Sequence, residues 1–324
     1  MEIIRNLCPI CGGNDPVQVD AVLGRDGQNY DVVQCTNCSL LFVSPFPNLS
    51  QEDYERIYDA TYYSSNWGDQ GCGYFHEEKA GVMRTEAERQ RQEIEQKTGL
   101  AGGSILDVGC GDGRYLQAFS KAGWRAVGIE VSPVAVERSQ TPEGVEIIHG
   151  AIESIDLGDC AFDVVRLKHC IEHLSHPREI LLSVRKLLKP GGFLVLDTDN
   201  ADGLRSRVER FMRRMLGPLA RWAVKYLMGK DLRNRFGRLS PPVHLLYFSP
   251  KSLRNATESA GLCVVNMFSV HHGHPIWFPL LHPYRCHPIE SVFRMIDRLG
   301  AATGHGEAIV CFAQKREDDA PSLT

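Results

Sequence analysis

The spacing of hydrophobic residues changes along the chain at about residue 104. From there to residue 199, short apolar runs alternate with amphipathic stretches. The apolar runs predict strands, in chain order SILDV, RAVGIE, VEIIHG, FDVVRLKH and FLVLDTD. The stretches between them predict helices, in the order RYLQAFSKAG, PVAVERSQ and PREILLSVRKLL. Alternation of this kind predicts an α/β fold with a doubly wound, mostly parallel sheet.

After residue 200 the alternation stops for about forty residues and then returns. SPKSLRNATESAG predicts a helix, LCVVNMFSV a strand and EAIVCFAQK a final strand. We therefore expect a seven-stranded Rossmann-like sheet whose last strand is antiparallel. Two insertions interrupt it, at about 203–240 and about 271–306, and the second contains a predicted helix, IESVFRMIDRLG.

The first hundred residues follow another pattern. QVDAVL and YDVVQC alternate apolar and polar positions around RDGQN, which predicts a hairpin. Helices are predicted from Glu52 to Tyr63 and from about Glu77 to Lys97. The domain organisation expected is a small module over 1–48, a helical connector over 49–100 and the α/β domain over 101–324.

Composition is that of an ordinary globular protein. The 324 residues are 43% hydrophobic and 23% charged, enough for a full core and a smaller appendage.

The net charge is −4, yet the segment from Gly203 to Arg238 holds eleven basic and two acidic residues. Its apolar residues recur three and four apart, so we expect a basic amphipathic helix interrupted at Gly217-Pro218. Such an insertion would act either as a lid over an acceptor pocket or as a packed helix with a solvated basic face.

Four of the eleven cysteines form two C-x-x-C pairs, Cys8/Cys11 and Cys35/Cys38. Gly12 and Ser39 follow the second cysteine of each pair, and small residues there let backbone N–H groups turn toward the sulfurs. Four thiolates at this spacing predict a structural Zn²⁺ in a zinc ribbon, because no coordination position is left open.

The start of the chain, MEIIRNLCPI, lacks the basic and apolar segments of a signal peptide. No apolar run approaches the length needed to span a bilayer. Cysteines without an export signal favour reduced thiols and metal binding, so a cytoplasmic location is expected.

ILDVGCGDGRYL joins the first predicted strand of the sheet to its helix through glycines at alternate positions. In an open parallel sheet, ligands bind at this turn, where glycine lets the backbone approach them closely. Glu130 ends the second strand, seventeen positions after Gly113, and its carboxylate can accept hydrogen bonds from both hydroxyls of a ribose. Asp107 precedes the glycines and can hold the loop or reach an ammonium group. The spacing G-x-G-x-G differs from the G-x-G-x-x-G of nicotinamide enzymes.

With DVGCGDG and GIE as its first two motifs, the chain resembles class I S-adenosylmethionine-dependent methyltransferases. FDVVRLKHCIEHL, LLKPGGFLVLDTDN and HLLYFSPKSLRNATESAGLCVV resemble later motifs of that family. The first part of the chain, from Cys8 to the YDATYYSS segment, is similar to methyltransferases with an N-terminal zinc-binding module that act in sugar or polysaccharide pathways.

The resemblance implies that S-adenosylmethionine is the cofactor and that Glu130 binds its ribose. It also implies a cofactor-binding set of Asp107, Gly109, Cys110, Gly111, Gly113, Glu130, Val131, Ala151 and Ile152. Ala151 and Ile152 would flank the adenine. GAIES lacks the Asp that many relatives carry near this place.

KHCIEHLSHP follows the fourth strand of the sheet, so its side chains are expected at the mouth of the cofactor site. His169 and His173 are candidate bases for an acceptor hydroxyl, and Glu172 beside them completes the candidate catalytic set. Some related O-methyltransferases carry E-x-x-E-H and a later histidine as a metal site. His169, Glu172, His173 and His244 match three of those four types, and a purely structural role for the turn stays open. A second histidine group is His271, His272 and His274, which could bind a metal or line a pocket.

Two functions follow from these observations. The first is methyl transfer to a small or carrier-linked acceptor, such as a sugar or polysaccharide precursor, by O-methylation, with C-methylation as an alternative. The second is a non-catalytic zinc-ribbon adaptor that binds an anionic partner through the basic insertion. A small-molecule acceptor is expected as partner in preference to nucleic acid, and 203–240 is a candidate for peripheral membrane contact.

Overall fold

The protein is described here from a computed structural model. The structure describes residues 2–4, 7–24, 27–64, 80–139, 144–158, 161–208, 210–211, 241–271 and 288–317. Among these residues, no helix has the length and apolar character that crossing a bilayer requires.

The strands fall into three sheets. In chain order they are β1 (Glu2–Ile4), β2 (Pro16–Leu23), β3 (Asn29–Cys35), β4 (Leu41–Ser44), β5 (Phe46–Asn48), β6 (Ser104–Val108), β7 (Arg125–Glu130), β8 (Val145–His149), β9 (Phe162–Lys168), β10 (Leu188–Asp199), β11 (Leu246–Tyr247), β12 (Cys263–Val270) and β13 (Ala308–Gln314).

The helices connect the strands much as the hydrophobic pattern predicts. They are α1 (Gln51–Ile57), α2 (Ala60–Ser64), α3 (Ala80–Thr98), α4 (Leu116–Lys121), α5 (Pro133–Arg138), α6 (Pro177–Leu187), α7 (Pro250–Ser259) and α8 (Pro288–Ala302). The helix expected from Glu52 to Tyr63 is divided into α1 and α2. Ser50 caps α1 with a capping box, in which its side chain accepts from the Asp53 backbone N–H.

The main sheet has seven strands in the order β12-β13-β10-β9-β6-β7-β8. β8, β7, β6, β9 and β10 pair in parallel, and β13 is antiparallel to both β10 and β12. The predicted α/β fold class, with an antiparallel last strand, is confirmed. Because the chain reverses its direction of winding at β6, the carboxyl ends of β6 and β9 open onto the crevice where such sheets bind ligands.

The N-terminal sheet has the order β11-β4-β3-β2. β2 and β3 form the predicted hairpin, but the fourth strand comes from Leu246–Tyr247, two hundred residues further along the chain. Phe42 and Phe46 pack edge to face in the core that this sheet shares with the α/β part. The N-terminal module therefore shares both strand pairing and a hydrophobic core with the rest of the protein. The boundaries at 48 and 100 stay predictions.

Candidate functional site

The glycine loop begins where β6 ends. Gly109, Gly111 and Gly113 have φ of 76°, 59° and 73°, a left-handed conformation that side chains disfavour. The N–H groups of Gly109 and Cys110 donate to the carbonyl of Ile129, at 2.8 and 3.1 Å, which folds the loop onto β7. A Cβ at position 109 would lie 3.3 Å from Cys170 Sγ, so the loop passes close to the turn that follows β9.

Glu130 lies at the end of β7 and contacts this loop directly. Its Oε2 accepts from the Gly111 N–H at 2.8 Å and its Oε1 from the Ser132 N–H at 2.8 Å. Tyr63, from α2, donates its hydroxyl to Oε1 at a longer 3.4 Å. Burial raises the pKa of Glu130, whereas these donors favour the charged form. The loop, the strand end and the helical connector thus meet at one carboxylate.

Asp107, which could hold the loop or reach an ammonium group, pairs in the structure with a residue of β9. Its Oδ2 accepts from Arg166 Nη1 at 2.6 Å, and both side chains are buried. Arg166 also donates to Gln90 of α3 at 2.7 Å and lies over the Tyr115 ring, 5.1 Å from its centroid. Burial raises the pKa of Asp107 while the guanidinium opposes that rise. The pair fixes β6 to β9 beneath the glycine loop.

The other residues predicted to bind the cofactor lie along the same edge of the sheet. Cys110 is buried, and burial raises the pKa of its thiol. The carbonyl of Val131 contacts the His149 ring at 3.1 Å. Ala151 and Ile152 begin a turn after β8, held near β7 by the Gly150 N–H, which donates to the Glu130 carbonyl at 2.9 Å. The structure therefore brings Glu130, Val131, Ala151 and Ile152 to neighbouring strand ends.

His169 and Glu172 form an ion pair in the turn after β9. His169 Nδ1 lies 3.2 Å from Glu172 Oε1, and His169 Nε2 lies 3.9 Å from Asp197 Oδ1. Burial disfavours the protonated ring, but the Asp197 and Glu172 carboxylates outweigh it and raise the pKa of His169 to about 9. Burial also disfavours ionised Glu172, but the hydrogen bond to His169 and the neighbouring histidines lower its pKa to about 2.

His173, the residue after Glu172 in the turn, has a different environment. Its Nδ1 is 2.8 Å from the Val243 carbonyl, which can only accept, so in the neutral ring Nδ1 carries the hydrogen and Nε2 has the lone pair. The ring packs edge to face against Tyr58 and against His244, with centroids 5.8 and 4.6 Å away. His244 Nδ1 lies 3.8 Å from Asp199 Oδ2. His173 is thus a hydrogen-bond acceptor at the carboxyl edge of the sheet.

The four residues that resemble a metal site are brought together, but Glu172, the carboxylate among them, is engaged by protein groups. The oxygens of Glu172 contact His169 and the Thr198 hydroxyl, at 3.2 and 2.9 Å. In the described part of the chain, the groups whose ligand atoms all lie within 4.8 Å are the N-terminal cysteines and a separate cluster of His271, Asp297 and Glu307.

The His169–Glu172 pair predicts a pH-dependent contribution to the free energy of unfolding. The raised pKa of His169 stabilises the fold fully below its ordinary 6.5, and this is lost as pH rises through about 9. The lowered pKa of Glu172 stabilises it above its ordinary 4.5, and this is lost as pH falls through about 2. The His169–Glu172 contact contributes to both shifts, so Glu172→Gln should cost most stability between pH 4.5 and 6.5, where both groups are charged.

Urea unfolding of the wild type and Glu172→Gln from pH 4.5 to 9.5 measures this difference. Since 37% of the His169 side chain is exposed, solvent screening reduces the effect. Glu153→Gln, at an exposed position in the preceding turn, is the matched control. A difference between wild type and Glu172→Gln that stays constant up to pH 9.5 would contradict the ion pair.

The four N-terminal cysteines converge as predicted. Cys8 Sγ lies 3.5 Å from Cys38 Sγ, and Cys11 Sγ lies 3.4 Å from Cys35 Sγ. These separations suit sulfurs around a tetrahedral Zn²⁺, which at about 2.3 Å per bond would be roughly 3.8 Å apart. The hydrogen bond with Cys38 lowers the pKa of Cys8 to about 5.

The two knuckles have matching backbones. Gly12 and Ser39 have φ of 70° and 66°. The Gly12 N–H donates to the Cys8 carbonyl at 2.9 Å, and the Ser39 N–H donates to the Cys35 carbonyl at 3.0 Å. The four thiol sulfurs and the repeated turn fit a closed structural zinc site. A metal bound there would cross-link the two knuckles.

Some predicted features lie outside the described residues. Of the basic insertion, the structure describes residues 203–208 and 210–211, which are helical from 204 onward apart from the undescribed residue 209. The remainder of the predicted lid, 212–240, and the histidines at 272 and 274 are among the residues not described.

The sequence reasoning missed several residues that the structure places at the site. Tyr63 belongs to an aromatic segment that was noted only for its resemblance to relatives. Arg166 and Lys168 alternate along β9, where charged residues in an apolar strand are a signal of buried partners. Lys168 lies 3.6 Å from Asp197, which in turn faces His169. Buried charges inside a strand pattern could have identified this group.

Comparison with known proteins gives a family match over more than half of the chain. The family described as "Methyltransferase domain" matches residues 80–266. The ubiquinone biosynthesis O-methyltransferase of Pseudomonas paraeruginosa (strain DSM 24068 / PA7) is 34% identical over 113 residues, or 33% of this chain and 49% of that protein. The mitochondrial enzyme of the same name from Schizosaccharomyces pombe is 34% identical over 107 residues, or 31% of this chain and 39% of that protein. The chain thus spans half or less of the length of these relatives.

Among solved structures, a chain from the complex between the Haloferax volcanii Trm112 methyltransferase activator and a methyltransferase superposes with a TM-score of 0.51. It is 16% identical, and the match covers 74% of this chain and 95% of that one. At this identity the likeness concerns the fold alone, and it agrees with the seven-stranded sheet described above.

Proposed function

Because the chain belongs to the methyltransferase-domain family and has the fold of class I S-adenosylmethionine-dependent methyltransferases, we propose that it methylates a hydroxyl of a small or carrier-linked acceptor. The observation that carries this proposal is the meeting of the glycine loop, Glu130 and the histidine turn at one edge of the sheet. S-adenosylmethionine would supply an activated methyl group on its sulfonium.

The loop and Glu130 fit the nucleoside part of this cofactor. The left-handed glycines keep side chains away from the end of β6, and Glu130 offers charged acceptors to two hydroxyls. The 3.4 Å contact from Tyr63 is longer than the two 2.8 Å bonds from backbone N–H groups, so a ribose hydroxyl would replace it more easily than either of them. Tyr63 would then cover the bound nucleoside.

His173 is the residue we propose as general base. Its Nδ1 hydrogen is held by the Val243 carbonyl, which leaves Nε2 to take the proton of an acceptor hydroxyl. His169, with a pKa of about 9, is largely protonated at neutral pH and is better suited to positioning Glu172. Methyl transfer from a sulfonium needs little beyond alignment of donor and acceptor. The O-methyltransferase names of the relatives support oxygen as the acceptor atom.

We also propose that Cys8, Cys11, Cys35 and Cys38 hold a structural Zn²⁺. The convergence of their sulfurs supports this proposal. Because β11 pairs with β4 of the N-terminal sheet, the metal would also stabilise the turn that carries His173.

His173→Gln should lower kcat for an oxygen acceptor by about 10²–10⁴-fold, because glutamine cannot take the proton. Acceptors would first be found by mass spectrometry of lysate fractions incubated with the full chain and methyl-labelled S-adenosylmethionine. Affinity for S-adenosylhomocysteine should be unchanged in the variant.

His176→Gln is the control, because His176 lies close by but bonds to Asn48 Oδ1 at 2.7 Å. Equal loss of kcat in both variants would remove His173 as the base. Absence of methyl transfer to any fraction, with S-adenosylhomocysteine still bound, would contradict the proposed reaction.

A further inference from the structure

A second cluster of ligand atoms lies where β12 ends and β13 begins, next to the end of β10. His271 directly follows β12, Glu307 directly precedes β13, and Asp297 lies on α8. One ligand atom from each residue lies within 4.8 Å of the others. We propose that these three residues form a binding site for a divalent first-row metal ion.

The three side chains are removed from solvent. Asp297 is 2%, Glu307 9% and His271 10% exposed. Burying two carboxylates is costly unless positive charge compensates them. Arg205 Nη1, 3.0 Å from Asp297 Oδ2, supplies one positive charge and orients that carboxylate, as second-sphere donors do for metal-binding carboxylates. A divalent cation bound between the two carboxylates would add positive charge beside both of them.

The environment of the His271 imidazole favours a bound metal over a simple ion pair. Its Nδ1 lies 3.2 Å from Glu307 Oε1. Yet both ring nitrogens are buried, and neither makes a hydrogen bond to the described residues. A protonated ring would bury two N–H groups that make no hydrogen bond to the described residues, which is costly even with the Glu307 carboxylate nearby. A neutral ring whose lone pair points at a metal satisfies one of those nitrogens.

The backbone around the cluster is firmly held, as a preformed site requires. The Gly306 N–H donates to Ser269 Oγ at 2.9 Å, and Asn200 Nδ2 donates to the Gly306 carbonyl at 2.8 Å. The Asn200 N–H donates to the Glu307 carbonyl at 2.8 Å. These bonds fix the end of β12, the start of β13 and the end of β10 to one another, so His271 and Glu307 are presented by adjacent, paired strands.

The donor types indicate which ions would bind. One imidazole nitrogen and two carboxylate oxygens suit Mn²⁺, Fe²⁺ or Zn²⁺ better than a thiophilic ion. Three protein ligands leave coordination positions for water or for an anionic group. The site differs from the cysteine cluster in both donor atoms and openness, so the two should be distinguishable by metal.

The test is titration with Mn²⁺ of the full chain carrying one Zn²⁺ per chain, which the four thiolates take up in preference to the oxygen-rich site. Loss of the free Mn²⁺ signal in electron paramagnetic resonance reports uptake. Mn²⁺ is a poor competitor for thiolate sites and leaves the cysteines loaded. We expect uptake of one Mn²⁺ per chain, and an affinity reduced about tenfold or more by Glu307→Gln and by His271→Gln. Circular dichroism would confirm that both variants are folded. If neither folds, Asp297→Glu, which keeps the charge and shifts the ligand, should alter Mn²⁺ affinity.

Glu258→Gln is the matched control, because Glu258 is exposed on α7 and pairs with Arg254 at 3.2 Å. It should bind Mn²⁺ like the wild type. The proposal is overturned if the wild type takes up no Mn²⁺, or if uptake is unchanged in Glu307→Gln and His271→Gln. Neither readout depends on methyl transfer, so failure here is independent of the proposed reaction.

Discussion

Glu130→Gln is expected to weaken binding of S-adenosylhomocysteine by about 100-fold, or about 2.7 kcal/mol. The carboxylate accepts from the Gly111 and Ser132 N–H groups at 2.8 Å each, and it would also accept the ribose hydroxyls. An amide has one acceptor oxygen in place of two and turns N–H groups toward these donors. Hydrogen bonds to a charged acceptor contribute about 1.5–3 kcal/mol each, so losing the charge has a large effect.

Isothermal titration calorimetry of the wild type and Glu130→Gln with S-adenosylhomocysteine measures this change. Glu146→Gln, at an exposed position on β8, is the matched control and should bind normally. Thermal unfolding separates lost affinity from lost folding, because Glu130 also holds the loop. An unchanged affinity in folded Glu130→Gln would place the nucleoside elsewhere.

Cys35→Ser is expected to abolish zinc binding at the four cysteines and to lower the stability of the whole chain. Structural zinc sites contribute about 10 kcal/mol or more, and losing one of four thiolates forfeits much of it. Cys35 ends β3, which pairs with β4, and β4 pairs in turn with β11. Val243, just before β11, contacts the His173 ring through its carbonyl. Loss of the zinc should therefore also destabilise the α/β part.

Metal analysis and thermal unfolding followed by tryptophan fluorescence test this expectation. Cys263→Ser is the control, because that thiol is exposed on β12. This variant should bind as much zinc as the wild type. A Cys35→Ser protein that retains both its zinc and its midpoint temperature would contradict a structural metal at the four cysteines.

Much of the fold could be predicted from local pattern because each parallel strand is a short, nearly continuous apolar run. SILDV and FDVVRLKH carry their hydrophobic residues in the order that a strand covered on both faces requires. The two C-x-x-C pairs likewise fix their own turns, since Gly12 and Ser39 adopt the conformation that the knuckle needs. These features depend on neighbours within a few residues.

The parts that could not be predicted depend on contacts between distant residues. Nothing in LY at 246–247 indicates that this short strand completes the N-terminal sheet. The partnership of Asp107 with Arg166 joins residues 59 positions apart, and it directs Asp107 away from the loop that follows it. The distinction between His169 and His173 also required the structure, because the carboxylate of Asp197 faces one ring and the carbonyl of Val243 faces the other.

The strand at Leu246–Tyr247 has a practical consequence for dissecting the protein. A fragment beginning at residue 101 would lack β4 and expose the buried Leu246 together with an unpaired strand edge. Unpaired edges with apolar side chains favour aggregation. The reverse fragment, residues 1–48, would lose the strand that closes its sheet. The cysteine knuckles are therefore poorly suited to transfer into another protein as an independent domain. A fragment that folds should contain both β4 and β11.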